Sequence, residues 1–351
     1  MDLDTILKTA LELSASDIHL IAGHPPMARI HTVMTAMDYP IITPESALRM
    51  LQQMTNPNQV KQFDKIKDVD FSYHLPGLGR FRVNAHMQRQ TLGIAMRTIK
   101  EEIPPFEHLN LPDVVARLTY LPRGLILVTG DTGSGKSTTL AAMIQAMNER
   151  YQKHIITLED PIEYAFKSSK CVIEQRELGD DVPSFASGLR HVLRQDPDII
   201  FVGEMRDLET TAAAITAAET GHLVFSTLHT VNASQTVERI IDMYPADQQN
   251  QIRSMLANTL QAVISQTLFK QTNHKGMVPA VEVMLCTPAV RNLIRENRTF
   301  EIPNVIDTNR AVGMTSIDNA IAELYFNGKI SREDAVAKAA YPDKLERVLV
   351  A

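Results

Sequence analysis

The residues best suited to chemistry form one uninterrupted run, Gly130-Asp131-Thr132-Gly133-Ser134-Gly135-Lys136-Ser137, which matches GxxxxGK[ST] in full. Gly130, Gly133 and Gly135 let the backbone curl so that its N–H groups, with the side chains of Thr132, Ser134 and Thr138, converge on phosphate oxygens. The start of a following helix adds a positive partial charge. Lys136 is placed to reach terminal phosphates and Ser137 to ligate Mg²⁺. The pattern is informative only between a strand and a helix. Here the apolar run Gly124–Thr129 precedes it and a helical stretch, Ser137–Arg150, follows. A chance match is the weaker alternative, and a nucleoside triphosphate with Mg²⁺ is the expected ligand.

Three further clusters lie at the ends of short apolar runs. Ile199–Val202 runs into Gly203-Glu204. Most P-loop ATPases end this strand with an Asp; here Gly203 takes that place, so Glu204 is expected to position and polarise an attacking water and to touch the metal through water. A surface glutamate closing a strand is the plainer alternative. Thr157-Leu158-Glu159-Asp160-Pro161-Ile162-Glu163 carries three carboxylates at the end of His154–Leu158. Strand carboxyl ends border the ligand crevice in open α/β sheets. Glu159 and Glu163 therefore read as a second layer around Mg²⁺ and water, Glu163 through water, and Asp160 less so; acids decorating a helix start are the alternative. His222 and His229 frame Leu223–Ser226. His229, with Thr227, is placed to sense a γ-phosphate. The strand separates the two histidines and no third ligand is near in the sequence, which argues against a zinc site.

Arg80 and Arg82 share one face of a predicted strand by its period of two, and Arg97 ends a neighbouring strand. Aligned arginines can neutralise phosphate charge as arginine fingers do; a solvated basic face is the alternative. Farther on, Ala289–Glu296 is amphipathic. Val290, Leu293 and Ile294 form its apolar face, and Arg291 and Arg295 lie one turn apart on the other.

These residues need two scaffolds. Residues 1–100 read as a small mixed α/β domain. Leu3, Ile6, Leu7, Ala10 and Leu11 have helical spacing. Ser16–Leu20, Met27–Met34, Asp68–Tyr73, Gly79–Gln88 and Leu92–Ile99 read as strands, with a hairpin connection at Leu75–Gly79. A helix starts at Thr43-Pro44. A Pro-containing stretch, 101–118, reads as the linker. Residues 119–351 then alternate fully apolar strands with helices, the pattern of a parallel sheet covered on both faces, and become mainly helical from about Asn232.

Composition agrees. The chain has 351 residues, 44% hydrophobic and 22% charged, enough for about two globular domains. A net charge of −6 argues against nucleic acid as a partner. The two cysteines, Cys171 and Cys286, have no metal-ligand spacing and fit a reduced cytosolic setting. No apolar run approaches the roughly 18 residues of a membrane span, and the acidic amphipathic start does not resemble a signal peptide.

Together GDTGSGKST, ITLEDPIEY, LRQDPDIIFVGEMRD and TAAETGHLVFSTLHT resemble the Walker A, Asp, Walker B and His boxes of the secretion and pilus ATPase superfamily. The likeness runs from about Ser16 to about Ala335. The sequence AVRNLIRE at 289–296 is similar to the AIRNLIRE motif of the type IV pilus retraction ATPases, the PilT family, differing at Val290. The four-cysteine motif usual in extension and secretion ATPases has no counterpart here. The resemblance implies a PAS-like N-terminal domain and a RecA-like ATPase domain, and a homohexamer that hydrolyses ATP between them with Mg²⁺. It implies arginine fingers at Arg82 and Arg97, with Arg80 or Arg123 as further candidates. Arg291, Leu293 and Arg295 would serve retraction rather than hydrolysis. The ring would sit at the cytoplasmic face of the inner membrane against an integral platform protein, and a paralogous retraction ATPase is a second partner the resemblance allows.

Overall fold

Leu3, Ile6, Leu7 and Ala10 form the buried stripe of α1 (Leu3–Glu12), which Asp2 caps by accepting from the Thr5 backbone. Thr43 caps α2 (Pro44–Met54) in a reciprocal box with Ser46, and Asn56 caps α3 (Pro57–Ile66) with Gln59. A computed structural model describes residues 2–30, 33–99, 102–272 and 276–350. It divides the chain into Met1–Glu102 with Pro161–Ala165, and Ile103–Asp160 with Phe166–Ala351.

The first unit is an antiparallel sheet of β1 (Asp17–Ile21), β2 (Met27–Ile30), β3 (Val33–Ala36), β4 (Asp68–Leu75), β5 (Gly79–Gln88) and β6 (Thr91–Ile99), in the order β3-β2-β1-β6-β5-β4. Alternation fixes its two faces: Phe81, Val83, Ala85, Ile94 and Met96 are buried with the apolar stripes of α1, α2 and α3. The intervening Arg82 and Arg97 point the other way and are exposed. The single strand expected over Met27–Met34 is instead the pair β2 and β3; His31 and Thr32 lie outside the described residues. The Pro-Asn-Gln start of α3 escaped the sequence reading because only Phe63 and Gln59 of that helix are buried.

The second unit holds β7 (Gly124–Thr129), β8 (His154–Glu159), β9 (Val172–Glu177), β10 (Ile199–Val202), β11 (Leu223–Leu228), β12 (Leu260–Lys270) and β13 (Met277–Leu285), ordered β13-β12-β7-β11-β10-β8-β9. The pairs from β12 to β9 are parallel, and β12 with β13 is antiparallel. Ile126, Val128, Ile155 and Phe225 face α4 (Asp113–Leu118) and α5 (Lys136–Arg150). Leu125, Leu127, Ile156 and Val224 face the other layer. That layer includes α6 (Phe185–Val192), α7 (Leu208–Glu219), α8 (Ala233–Asp242), α9 (Gln249–Thr259), α10 (Pro288–Arg295) and α11 (Ile302–Thr308). Each such fully buried Leu or Ile contributes about 1.5–3 kcal/mol. A smaller core joins β12 and β13 to α12 (Ile317–Phe326), α13 (Arg332–Ala337) and α14 (Pro342–Val350).

Two expectations are refined. The part after Asn232 is mainly helical, from α8 to α14, but β12 and β13 add two long strands, disguised in β12 by Gln261, Ser265, Gln266 and Thr267. The expected linker 101–118 begins at Glu101, outside the described residues, and its end is core, since Val114, Val115 and Leu118 of α4 are buried against the second sheet.

Candidate active site

The parallel strands β7, β11, β10 and β8 end at one edge of the second sheet, so the residues just beyond them are neighbours regardless of sequence distance. From β7 the chain enters the glycine loop. Gly130, Gly133 and Gly135 have φ of 134°, 82° and 92°. A Cβ on Gly130 would come 2.3 Å from the Gln266 carbonyl oxygen, so glycine is required there on two counts. Gly135 stands at the N-cap of α5, leaving the helix's first N–H groups to an external acceptor. Lys136 folds over the loop, its Nζ donating to the carbonyls of Gly130 at 2.7 Å and Asp131 at 2.9 Å. Ser134 Oγ is buried and has no hydrogen-bond partner among the described residues. This cradle of convergent donors, a glycine that tolerates no side chain and an unspent buried hydroxyl fits a phosphate chain. Thr132, Ser137 and Thr138 lie on the same loop and first helical turn.

Glu204 lies two strands away, about 10 Å by ordinary interstrand spacing. A Cβ at Gly203 would stand 3.3 Å from the Leu158 carbonyl and 3.4 Å from the Phe185 ring, so the strand end has little room for the aspartate common there. Gly203 N donates to Leu158 O, Thr227 Oγ1 donates to Gly203 O at 2.6 Å, and Met205 N donates to Thr227 O. With its backbone pinned, Glu204 projects with its side chain 15% exposed, and His229 Nε2 lies 3.3 Å from Oε1. Arg206 Nε donates to Oε2 at 2.7 Å, and Arg206 Nη1 lies 3.6 Å from Asp160 Oδ2.

The other expected residues separate. Glu159 is buried and its Oε1 accepts from Thr157 Oγ1 at 2.6 Å and Gln175 Nε2 at 3.0 Å, which makes it a brace of β8. Glu163 is exposed and falls in the 161–165 segment that groups with the first unit. His222 sits at the opposite end of β11, its Nδ1 2.9 Å from Ala217 O, and serves the end of α7. In the first unit Arg82 and Arg97 are direct cross-strand partners, and Arg97 Nε donates to Asp17 at 3.0 Å. Arg80 shares the face two residues on, and Arg123 is exposed before β7. Arg206 was legible only as one letter of an unusual strand–Gly–Glu–x–Arg pattern; the turn that aims it at Glu204 was not. Among the described residues no cluster of three or more His, Cys, Asp or Glu side chains is placed to hold a metal ion. Ser137 and Glu204 carry oxygen donors of the kind that suits Mg²⁺.

On α10, Val290, Leu293 and Ile294 are buried as expected. Arg291 is not a free outer arginine: its Nη1 donates to the carbonyls of Ala257 and, at 3.0 Å, Asn258, and Nη2 donates to Gln261. Arg295 Nη2 donates to Asn258 Oδ1 at 2.7 Å. Both close the carboxyl end of α9, where cations are favoured.

The family model of the type II/IV secretion system proteins matches residues 1–322. The chain is 46% identical over 343 residues to the type IV pilus retraction ATPase PilT of Pseudomonas aeruginosa, covering 98% of this chain and 99% of that one. It is 45% identical over 335 residues to a twitching motility protein of Neisseria gonorrhoeae, covering 95% and 90%. A crystal structure of the pilus retraction motor PilT with bound ADP superposes with a TM-score of 0.93 at 45% identity, covering 99% of each chain. With its P-loop, its Glu204 and His229 edge and its α10 helix in place, the chain belongs to the type II/IV secretion system protein family and, within it, to the type IV pilus retraction ATPases.

Proposed function

We propose that this protein is an ATP-hydrolysing motor that drives type IV pilus retraction, and with it twitching motility, as a homohexamer at the cytoplasmic face of the inner membrane. The observation that carries this reading is the shared sheet edge, where a complete phosphate cradle and the pinned carboxylate Glu204 lie two strands apart. Among the described residues no helix is long and apolar enough to cross a membrane. The platform it works against is therefore proposed to be a separate integral membrane protein, and a paralogous retraction ATPase is a further proposed partner.

The chemistry follows from the residues. The loop amides from Gly130 to Ser137 and the start of α5 bind the ATP phosphates, and Lys136 exchanges its two loop carbonyls for terminal phosphate oxygens. Glu204 orients the attacking water and accepts its proton, while His229 reads the terminal phosphate. Ser137, with Glu204 and Glu163 through water, would hold Mg²⁺, which would supply positive charge against that building on the phosphates. Arg82 and Arg97 of the PAS-like domain add positive charge as arginine fingers. Loss of the γ-phosphate contacts then lets the two units, divided between Glu102 and Ile103, move as separate bodies.

The test compares Glu204→Ala and Arg291→Ala in cells lacking the native gene, with ATPase activity, surface piliation and twitching read together. Glu204→Ala is expected to abolish both hydrolysis and twitching. Arg291→Ala, checked for folding, is expected to keep hydrolysis and leave cells piliated but immobile. Cells lacking the gene that bear no pili, or that twitch normally, exclude a retraction motor.

A further inference from the structure

We propose that Arg206 is a positioning residue that fixes the orientation of the Glu204 carboxylate, and that Asp160 is the anchor that holds Arg206. This rests on the reading of Glu204 as the group acting on water. The backbone on either side of Arg206 is immobilised. Gly203 and Met205 are tied to Leu158 and Thr227, and Asp207 caps α7 by accepting from Thr210 N at 2.8 Å. The freedom left in this turn lies in the side-chain torsions of Glu204 and Arg206. Both oxygens of Glu204 have a partner, Oε2 with Arg206 Nε at 2.7 Å and Oε1 with His229 Nε2 at 3.3 Å, so a rotation of the carboxylate breaks both contacts.

Arg206 in turn reaches a second carboxylate, with Nη1 3.6 Å from Asp160 Oδ2. Only a guanidinium has donors in a planar fork that can face two carboxylates from one fixed stem; an ammonium is a single point. The chain Asp160–Arg206–Glu204 spans the ends of β8 and β10, which pair directly. Asp160 is also the last residue before the 161–165 segment that groups with the first unit. The anchor therefore sits where the chain leaves the ATPase unit.

The experiment uses the full-length protein and the variants Glu204→Gln, Arg206→Gln, Arg206→Lys, Asp160→Asn and the Arg206→Gln/Asp160→Asn pair. Steady-state kcat and KM are read beside the affinity for a fluorescent ATP analogue. Arg206→Gln is expected to lower kcat by about 10–100-fold, the range for losing an orienting partner. KM and analogue affinity should stay within about twofold, because the lost contact acts on the reacting water and not on binding. Arg206→Lys is expected to recover less than about threefold, since it cannot bridge two carboxylates. Asp160→Asn is expected to lower kcat alone but to have no further effect once Arg206 is Gln, as required of a residue acting through another. An unchanged kcat in Arg206→Gln, a parallel loss of affinity, or multiplying losses in the double variant would overturn the proposal. If Glu204→Gln itself keeps wild-type kcat, the reading of Glu204 is what fails, and the positioning role falls with it.

Discussion

At the scale of single residues, the site depends on positions where one atom more or less decides the outcome. Gly130 is one. Its φ of 134° and the 2.3 Å approach of a would-be Cβ to Gln266 O leave no accommodating neighbour, because the opposing atom is backbone. Gly130→Ala is expected to weaken binding of an ATP analogue by at least about tenfold and to lower stability by about 1–3 kcal/mol. Analogue titration and urea unfolding check both. Glu282 is another. It is buried on β13, where its Oε1 accepts from Ala233 N at 2.8 Å. Burial pushes its carboxyl above the usual range, and the nearby charges of Asp307 and Asp318 push in the same direction. In the unfolded chain it ionises near pH 4.5, and in the folded chain later. Over that interval the native state holds the extra proton, so the contribution is favourable at low pH and is lost as pH rises. Glu282→Gln is therefore expected to gain stability relative to wild type on going from pH 5 to pH 8. A Tm difference, Glu282→Gln minus wild type, that stays constant or falls over that range would show that Glu282 is not held protonated. The cavity of about 100 Å³ beside it adds no obvious ligand site. The Asp318 carboxylate already accepts from Ala340 N and Tyr341 N, and Asp307 from Ser316 and Asn319.

At the scale of elements, α10 shows a face that spacing predicts and contacts that spacing leaves open. The apolar face of Val290, Leu293 and Ile294 follows from spacing alone. Arg291 and Arg295 lie one turn apart on the opposite face, and there they reach back to the carboxyl end of α9. A guanidinium on terminal carbonyls offsets the helix dipole and fills otherwise unpaired acceptors. Arg291→Ala is expected to lower unfolding stability by about 1 kcal/mol, half-exposure holding the figure near the low end. Arg291→Lys should restore part of it. A stability unchanged within about 0.3 kcal/mol in chemical denaturation would show that this contact is passive. In the first unit, the Arg97–Asp17 pair joins β6 to β1, but the Arg97 side chain is 71% exposed. Its value is orientation more than stability.

At the scale of the whole molecule, the proposed arginine fingers predict a separation of binding from turnover. Arg82→Ala and Arg97→Ala are expected to keep ATP-analogue affinity and ring assembly while losing hydrolysis by about 10³-fold or more, the range for arginine fingers. Light scattering, analogue titration and phosphate release check the three. Wild-type turnover in both variants would return these residues to a solvated basic face. The sequence by itself determined the phosphate cradle, the parallel strands around it, the start of α2 and the apolar stripes of α1 and α10. Each is local, set by a motif of eight residues, a run of apolar side chains or a helical period. The tertiary structure decided the rest. Strands β12 and β13 joined the sheet despite their polar residues because β7 supplied a partner edge. Glu159 turned into its own strand end, His229 met Glu204, and Arg206 met Glu204 and Asp160. Those outcomes depend on which strand lies beside which. A parallel sheet fixes that by crossovers of dozens of residues, a distance over which no side-chain period carries information.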